Sequence, residues 1–195
     1  TYTCAYWKNA KHLNAAQEAK LELVCQKLGL KPGMKVLDIG CGWGAFLAYA
    51  AEKYGISGVG ITVSEEQATL AKQFCQHYPI DIRLEDYRHL IQSQEKFDHV
   101  VSLGMFEHVG YKNYRTYMQT VHHCLADNGL FLLHTIGSNT TLYNADEWIS
   151  KYIFPNGMLP SIQFIGRSIE DLFVMEDWHN FGADYDRTLM AWYQN

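Results

Sequence analysis

The chain has 195 residues, 48% of them hydrophobic, and a formal net charge of -5. This length and composition predict one globular domain with a substantial core and argue against a disordered chain. The acidic balance favours no nucleic-acid partner, and no apolar run reaches the length of a membrane span. Five scattered cysteines without a C-x-x-C pair predict reduced thiols in a cytoplasmic protein.

The chain opens on an irregular, aromatic lead-in over residues 1–13. Asn14 is a suitable N-cap for a helix predicted over residues 15–28, and Lys31-Pro32-Gly33 separates that helix from the first strand. Cys4, within the lead-in, is a conceivable nucleophile. No base lies near it in the sequence, so we do not expect that role.

The most informative stretch of the first half is Val36-Leu37-Asp38-Ile39-Gly40-Cys41-Gly42-Trp43-Gly44. It predicts a buried strand that runs into a glycine loop, followed by a helix over residues 45–54. The spacing is G-x-G-x-G, whereas a pyrophosphate-binding loop is G-x-G-x-x-G. We therefore expect an adenosyl ligand without a pyrophosphate, S-adenosylmethionine above all, with Asp38 placed to meet its ammonium group. The alternative is an ordinary glycine-rich turn between a strand and a helix.

Strands and helices continue to alternate up to residue 136. Strands are predicted over residues 57–62, 80–84, 97–103 and 130–136, with helices over residues 65–77 and 113–124 and a turn over residues 126–129. Ser64-Glu65-Glu66-Gln67 has the spacing of a capping box. Such alternation predicts an α/β fold with a doubly wound, mostly parallel sheet, in which ligands bind at the carboxyl ends of the strands.

The last third of the chain follows a different pattern. Residues 138–166 have no clear period and are interpreted as a lid, residues 172–181 predict a sixth strand, and Asp184 is a candidate cap for a final helix. That helical pattern stops in the middle at Asn195, so we expect the chain to be a piece of a larger polypeptide, truncated at its C-terminus. We divide it into a lead-in (residues 1–30), a core (31–136) and a lid with a C-terminal part (137–195).

Four residues after the second and third strands are candidates for binding the rest of the nucleoside. Thr62 stands where a dinucleotide site has an acidic residue, so its hydroxyl or the Gln67 amide would bind ribose hydroxyls. Alternatively, Gln67 only closes the capping box. Asp86 is expected to accept a hydrogen bond from the adenine amino group and Tyr87 to stack on the ring, unless Tyr87 is packed within its loop.

Glu107 follows the predicted strand over residues 97–103, and His134 lies at the end of the neighbouring strand over residues 130–136. A carboxylate in an apolar loop is costly unless it is paired, and a Glu–His pair beside a cofactor indicates proton handling. The alternative is a carboxylate bonded to backbone N–H groups and a core histidine. His122-His123 lacks a third ligand at suitable spacing, so no metal site is expected.

Several motifs together resemble the cyclopropane-fatty-acyl-phospholipid synthases. The resemblance covers nearly the whole chain and is carried by Tyr2-Thr3-Cys4-Ala5-Tyr6-Trp7, the glycine loop, Gly104-Met105-Phe106-Glu107-His108-Val109-Gly110 and Leu133-His134-Thr135-Ile136-Gly137-Ser138. The runs Tyr152-Ile153-Phe154-Pro155-Asn156-Gly157 and Glu176-Asp177-Trp178-His179-Asn180-Phe181-Gly182-Ala183-Asp184-Tyr185 resemble the bacterial phospholipid branch more than the mycolic-acid branch.

The resemblance implies a class I, Rossmann-like methyltransferase fold and a specific reaction. Members of that family transfer a methylene equivalent from S-adenosylmethionine to a cis double bond of a phospholipid acyl chain, through a carbocation that a bound bicarbonate deprotonates. The bicarbonate site maps onto Glu107, His134 and Tyr185, and onto Cys4 and Ile136 through backbone groups. The cofactor contacts map onto Tyr2, Thr3, Val36, Leu37, Asp38, Gly40, Cys41, Gly42, Trp43, Gly44, Thr62, Gln67, Tyr87 and Arg88.

The family also implies partners that these 195 residues do not contain in full. Its bacterial members act on membrane phospholipids with unsaturated acyl chains, which requires peripheral contact at the inner membrane face, and the full-length proteins are possible homodimers. They carry an N-terminal domain and C-terminal helices that we do not find in this sequence. The alternatives are an S-adenosylmethionine-dependent N-methyltransferase of a small amine, a Rossmann oxidoreductase and a non-catalytic lipid-binding module.

Overall fold

A computed structural model describes residues 2–144, 146–155 and 157–194. Its centre is a five-stranded parallel sheet in the order β3-β2-β1-β4-β5. The strands are β1 (Lys35–Ile39), β2 (Ser57–Thr62), β3 (Ile80–Leu84), β4 (Phe97–Leu103) and β5 (Leu125–His134). The predicted doubly wound α/β fold is confirmed, and β2, β3 and β4 have the predicted bounds.

Helices cover both faces of the sheet. They are α1 (Leu13–Leu28), α2 (Ala45–Tyr54), α3 (Glu65–Cys75), α4 (Tyr114–Cys124), α5 (Glu147–Tyr152), α6 (Ile162–Ile169) and α7 (Asp184–Tyr193). Consecutive residues of β1 point to opposite faces: Val36 packs in a core cluster with α1, α2 and α3, and Leu37 packs in another with α4 and α6. Because β1 is buried on both sides, its apolar run has no polar alternation.

The strand order determines where a ligand-binding crevice lies in this sheet. β1 pairs with β2 on one side and with β4 on the other, Asp38 lying between Gly60 and Val101. The chain winds away from β1 in opposite directions on these two sides, so the crevice at its carboxyl end lies at the topological switch point. The loops after Ile39 and Leu103 therefore open at the same edge of the sheet.

Five local predictions need correction. Helix α1 begins at Leu13, and the N-cap is His12, whose Nδ1 accepts from the Ala15 N–H at 3.3 Å, rather than Asn14. Helix α3 ends at Cys75 instead of residue 77, and α4 begins at Tyr114. The predicted turn over residues 126–129 is an irregularity inside β5, since strand pairing is interrupted between Leu125 and Leu130; β5 also ends at His134 rather than residue 136.

The sixth strand predicted over residues 172–181 is wrong. Those residues have no helix or strand, and several of their side chains are exposed, Val174 among them. A strand forms only beside a partner strand, and the described part of the chain supplies none here. Asp184 does begin α7, but its carboxylate accepts from the Trp7 N–H (2.7 Å) instead of capping the helix.

The stretch interpreted as a lid contains regular structure: α5 lies within it, and α6 begins at Ile162. Among the described residues, no helix is long and apolar enough to cross a bilayer.

Candidate functional site

The three loop glycines all have a left-handed backbone, with φ of +83° at Gly40, +54° at Gly42 and +79° at Gly44. They differ in what surrounds them. A Cβ on Gly40 would lie 2.7 Å from Met105 Cγ, and one on Gly44 would lie 2.7 Å from Cys75 Sγ, whereas one on Gly42 would meet nothing within 4 Å. Gly40 and Gly44 are therefore required by packing, and Gly42 faces open space where a ligand can approach the backbone.

Asp38 lies beneath this loop and is 2% exposed. Its Oδ1 has no hydrogen-bond partner within the described protein. Burial raises the pKa of this carboxyl to about 7, and the charge of Lys20 opposes that rise. A buried carboxylate oxygen without a partner calls for a cationic or hydrogen-bonding ligand, which fits the ammonium group of S-adenosylmethionine.

Lys20 is a feature of the site that the sequence did not suggest. It is 1% exposed, and its Nζ donates to Thr3 Oγ1 (2.7 Å) and Gln17 Oε1 (2.8 Å). Burial lowers the pKa of this ammonium to about 8, while Cys4 and Asp38 favour its charged form. The signal that could have revealed it is a spacing of four: Lys20 follows Ala16 on the buried stripe of α1 that continues through residues 24 and 28.

The lead-in is held by α7, from the other end of the chain. Thr188 Oγ1 accepts from the Ala5 N–H (3.1 Å) and from Trp7 Nε1 (2.9 Å). Tyr2 stacks on Trp192 with ring centroids 5.1 Å apart. These contacts place Cys4 in the site. Burial raises the pKa of its thiol, so it is a poor nucleophile at neutral pH.

Thr62 and Gln67 are bonded to each other. Thr62 Oγ1 donates to Gln67 Oε1 at 2.7 Å and accepts from the Ser64 N–H at 3.3 Å. Ser64 Oγ caps α3 by accepting from the Gln67 N–H, but the Gln67 side chain does not close the capping box. The alternative interpretation of Gln67 is thus wrong, and binding of ribose by this pair stays a prediction.

The loop after β3 is held by hydrogen bonds between its own residues. The Asp86 carboxylate accepts from Arg88 N, Nε (both 2.9 Å) and Nη2 (2.6 Å), and these bonds hold the pKa of Asp86 below its usual range. Tyr87 lies edge-on to Tyr117 at 5.0 Å, which is the packed alternative for this ring. Adenine recognition by Asp86, Tyr87 and Arg88 stays a prediction.

Glu107 lies in a 3-10 turn (Phe106–His108) directly after β4 and is 8% exposed. Its Oε1 accepts from the Ile136 N–H at 2.8 Å, and its Oε2 has no partner within the described protein. One oxygen thus matches the alternative of a carboxylate bonded to backbone, while the other is left for a ligand. The Ile136 N–H is already used by this bond.

His134 ends β5 and stacks on Phe181, with ring centroids 5.5 Å apart. Its Nδ1 is buried and has no partner within the described protein. Burial, and then the charge of Lys20, lower the pKa of this imidazole to about 4, so it is neutral at pH 7. A neutral imidazole offers one donor and one acceptor.

The predicted catalytic residues meet around one large groove of about 1410 Å³. Its lining includes Cys4, His134, Ile136 and Tyr185, and Glu107 is joined to it through Ile136. Burial raises the pKa of Tyr185, and the Cys4, Tyr2 and Glu107 charges add to that rise. The phenol is a donor at neutral pH. No cluster of three or more metal-ligating side chains occurs among the described residues.

The parallel sheet, the glycine loop at its switch point and the buried carboxylate below that loop define a class of protein, the class I S-adenosylmethionine-dependent methyltransferases. Solved structures of such proteins are similar to this chain. The mycolic acid cyclopropane synthase CmaA1, complexed with S-adenosylhomocysteine and CTAB, is 34% identical with a TM-score of 0.88, over 98% of this chain and 73% of that one. Coclaurine N-methyltransferase, bound to N-methylheliamine and S-adenosylhomocysteine, is 26% identical with a TM-score of 0.86, over 100% and 61%.

Within that class, the chain belongs to the mycolic acid cyclopropane synthetase family, whose sequence model matches residues 1–195. It is 58% identical over 193 residues to the cyclopropane-fatty-acyl-phospholipid synthase of Escherichia coli strain K12. That match covers 99% of this chain and 50% of the relative, so the chain spans about half the length of the protein it resembles. The family predicted from the sequence motifs is confirmed.

Proposed function

We propose that this chain carries the catalytic core of an enzyme that transfers a methylene equivalent from S-adenosylmethionine to a cis double bond of a phospholipid acyl chain, which becomes a cyclopropane ring. The observation that carries the proposal is the pair of partnerless buried atoms, Glu107 Oε2 and His134 Nδ1, beside a groove that Tyr185 also lines. These groups suit a small ligand that both donates and accepts hydrogen bonds. The 58% identity to a phospholipid cyclopropane synthase supports the choice of substrate.

The chemistry requires little activation of the substrate. When bound, S-adenosylmethionine supplies an electrophilic methyl group that the alkene attacks, and bicarbonate supplies the base that removes a proton from that methyl group before the ring closes. An alkene has no acidic proton to lose first. The protein therefore has to align the reactants, hold a base near the methyl carbon and exclude water.

The hydrogen-bonding role of each groove residue follows from whether it carries a proton. Glu107 Oε2 would accept a hydrogen bond from the hydroxyl of bicarbonate, and the neutral His134 and the Tyr185 phenol would donate hydrogen bonds to its other oxygens. The Ile136 N–H has a different task, since it fixes the Glu107 side chain at 2.8 Å. The aromatic ring of Phe181, which lines the groove, would shelter positive charge on the substrate.

Access to a lipid substrate requires peripheral contact with a membrane from the cytoplasmic side. Exposed apolar side chains in the stretch 138–166 support this contact, among them Trp148, Tyr152 and Ile162. Such side chains partition favourably into the interfacial region of a bilayer.

The test supplies the protein with methyl-labelled S-adenosylmethionine and vesicles of an unsaturated phospholipid, with and without added bicarbonate in carbon-dioxide-free buffer. We expect label in cyclopropane acyl chains, identified by mass spectrometry, and a rate that falls when bicarbonate is withdrawn. Absence of lipid labelling would contradict the proposal. Equal rates with and without bicarbonate would contradict the assigned base while leaving the transfer intact.

A second candidate function is methylation of a small amine, because the chain is similar to coclaurine N-methyltransferase along its whole length. An amine nucleophile needs no base at the methyl carbon. Label transferred to a small amine, but not to vesicles, would favour this second function.

A further inference from the structure

The plane of the His134 imidazole is not fixed by a hydrogen bond at Nδ1. That atom is buried and has no partner among the described residues. The torsion that turns a histidine ring about its own axis is broad, so rotamer preference alone does not set the plane either. A histidine that has to donate from a defined direction therefore needs a neighbour that holds its ring by packing.

Phe181 is that neighbour. Its ring stacks on the His134 ring, with centroids 5.5 Å apart and an angle of 25° between the planes, which is an offset-stacked arrangement. The Phe181 ring is itself held edge-on by Tyr6 at 5.5 Å and by His179 at 5.3 Å. Tyr6 is anchored in turn, because its N–H donates to the Ala16 carbonyl at 3.1 Å. The surface on which the imidazole lies is therefore fixed by rings from two other segments.

The backbone of Phe181 is fixed as well, at the start of α7. Its carbonyl accepts from the Asp184 N–H at 2.9 Å, and the Asp184 carboxylate accepts from the Trp7 N–H at 2.7 Å. The next carbonyl, of Gly182, accepts from the Tyr185 N–H at 3.0 Å. The turn that carries Phe181 is thus the turn that brings Tyr185 to the groove, and the lead-in holds it in place.

We propose that Phe181 is a positioning residue for the proposed transfer: by holding the imidazole plane, it orients the N–H group that His134 donates to the bound base. A hydrogen bond weakens steeply as its angle closes, so a ring free to turn would donate poorly. The inference rests on the proposed function. It differs from the sheltering of positive charge by the same ring, because in this role Phe181 acts only through His134.

The test is a double-mutant cycle of turnover on unsaturated phospholipid vesicles, with Phe181→Leu, His134→Gln and the variant that carries both. We expect Phe181→Leu alone to lower kcat by roughly tenfold, less than the 10²–10³-fold cost of losing such a donor altogether. The KM for S-adenosylmethionine should be unchanged. In the His134→Gln background, Phe181→Leu should have little further effect, because the group that it orients is already gone.

A second measurement follows the His134 ring protons by NMR, assigned by their absence from His134→Gln. A stacked aromatic ring moves such signals upfield. We expect that shift in the wild type and in Phe181→Tyr, which keeps the ring and should restore turnover, and its loss in Phe181→Leu. Phe173→Leu is the matched control: Phe173 is also half-buried and lies edge-on to a different histidine, His122, at 5.6 Å. It should leave kcat and the His134 signals unchanged.

Losses that multiply in the double variant would overturn the inference, since Phe181 would then act independently of His134. Unchanged His134 signals in Phe181→Leu would overturn it too. If Phe181→Leu proves unfolded by circular dichroism, Phe181→Met carries the same expectations. A wild type without turnover on vesicles would contradict the proposed function, and the NMR comparison would still decide whether Phe181 positions the imidazole.

Discussion

The glycine loop and the groove lined by His134 and Tyr185 lie at the same edge of the sheet. They differ in how far apart in the sequence the residues that close them lie. The loop is closed locally: Gly44 N–H donates to the Cys41 carbonyl at 2.9 Å, and the Gly40 and Cys41 N–H groups donate to the Ile61 carbonyl at 3.0 Å. The groove is closed by the docking of α7 on the lead-in, through contacts that join residues 177 to 183 positions apart. One region is preformed with the sheet; the other is completed only when the chain ends meet.

The two regions also differ in charge. Below the loop, the Asp38 carboxyl is buried, and its Oδ1 has no hydrogen-bond partner within the described protein. In the groove, His134 is neutral at pH 7, Tyr185 keeps its proton, and Glu107 is anchored to backbone. From this contrast we expect cofactor binding in the first region and proton handling in the second. Variants that separate affinity from turnover can test it.

The largest effect is expected from Gly42→Val, which places a branched side chain in the open space over the loop. We expect calorimetry to detect no binding of S-adenosylhomocysteine. A β-branched residue at positive φ also costs about 1–2 kcal/mol of stability. Gly29→Val is the matched control, because Gly29 has φ of +59° and equally open surroundings at the end of α1. Its stability should fall similarly while binding persists; equal affinities in the two variants would contradict the assignment.

Glu107→Gln is expected to keep cofactor affinity and to lose turnover. The amide oxygen can still accept from the Ile136 N–H, so the loop should stay in place and affinity for S-adenosylmethionine should be nearly unchanged. Turnover on phospholipid should fall by roughly 10²–10⁴-fold, the usual contribution of a proton-transfer group. Glu18→Gln, an exposed carboxylate on α1, controls for the change in net charge. A wild-type rate in Glu107→Gln would remove the proposed role of this carboxylate.

Features formed by residues close together in the sequence were predictable, as the glycine loop was, whereas features formed by distant contacts were not. The bounds of β2, β3 and β4 were predictable because an apolar strand between turn residues is a local signal. The glycine loop and the role proposed for Asp38 depend on residues within one short stretch. The common edge for Glu107 and His134 followed from the parallel topology alone, because neighbouring strands end together.

Features that depend on distant contacts were not predictable. A strand was predicted over residues 172–181, but strand formation requires a partner that no local pattern specifies. Lys20 was missed since lysine is ordinarily solvated, and its burial is decided by the lead-in folding back over α1. Asp184 looked like a helix cap, yet its carboxylate bonds to Trp7, 177 residues away.

The smallest effect is expected in the pH dependence of stability, and it tests whether the groove holds a neutral histidine. Burial lowers the pKa of His134 to about 4 in the folded protein, from the ordinary value of 6.5 that applies to the unfolded chain. Between these values the unfolded chain binds a proton that the folded chain does not, so this residue lowers the free energy of unfolding as the pH falls. From pH 7 to pH 5 the loss is about 2 kcal/mol.

The observable is the difference in free energy of unfolding between the wild type and His134→Gln, from urea titrations at pH 7 and pH 5. Loss of the stacking on Phe181 adds a constant to this difference, and Asp38, which titrates in the opposite direction, is present in both proteins. Only the His134 contribution to this difference should therefore vary with pH. At pH 5 the wild type should have lost stability relative to His134→Gln. His77→Gln, at an exposed position, should give a flat difference. A flat difference for His134→Gln as well would mean that this imidazole titrates normally, and the groove would then hold a cation in acid where the proposed chemistry requires a neutral donor.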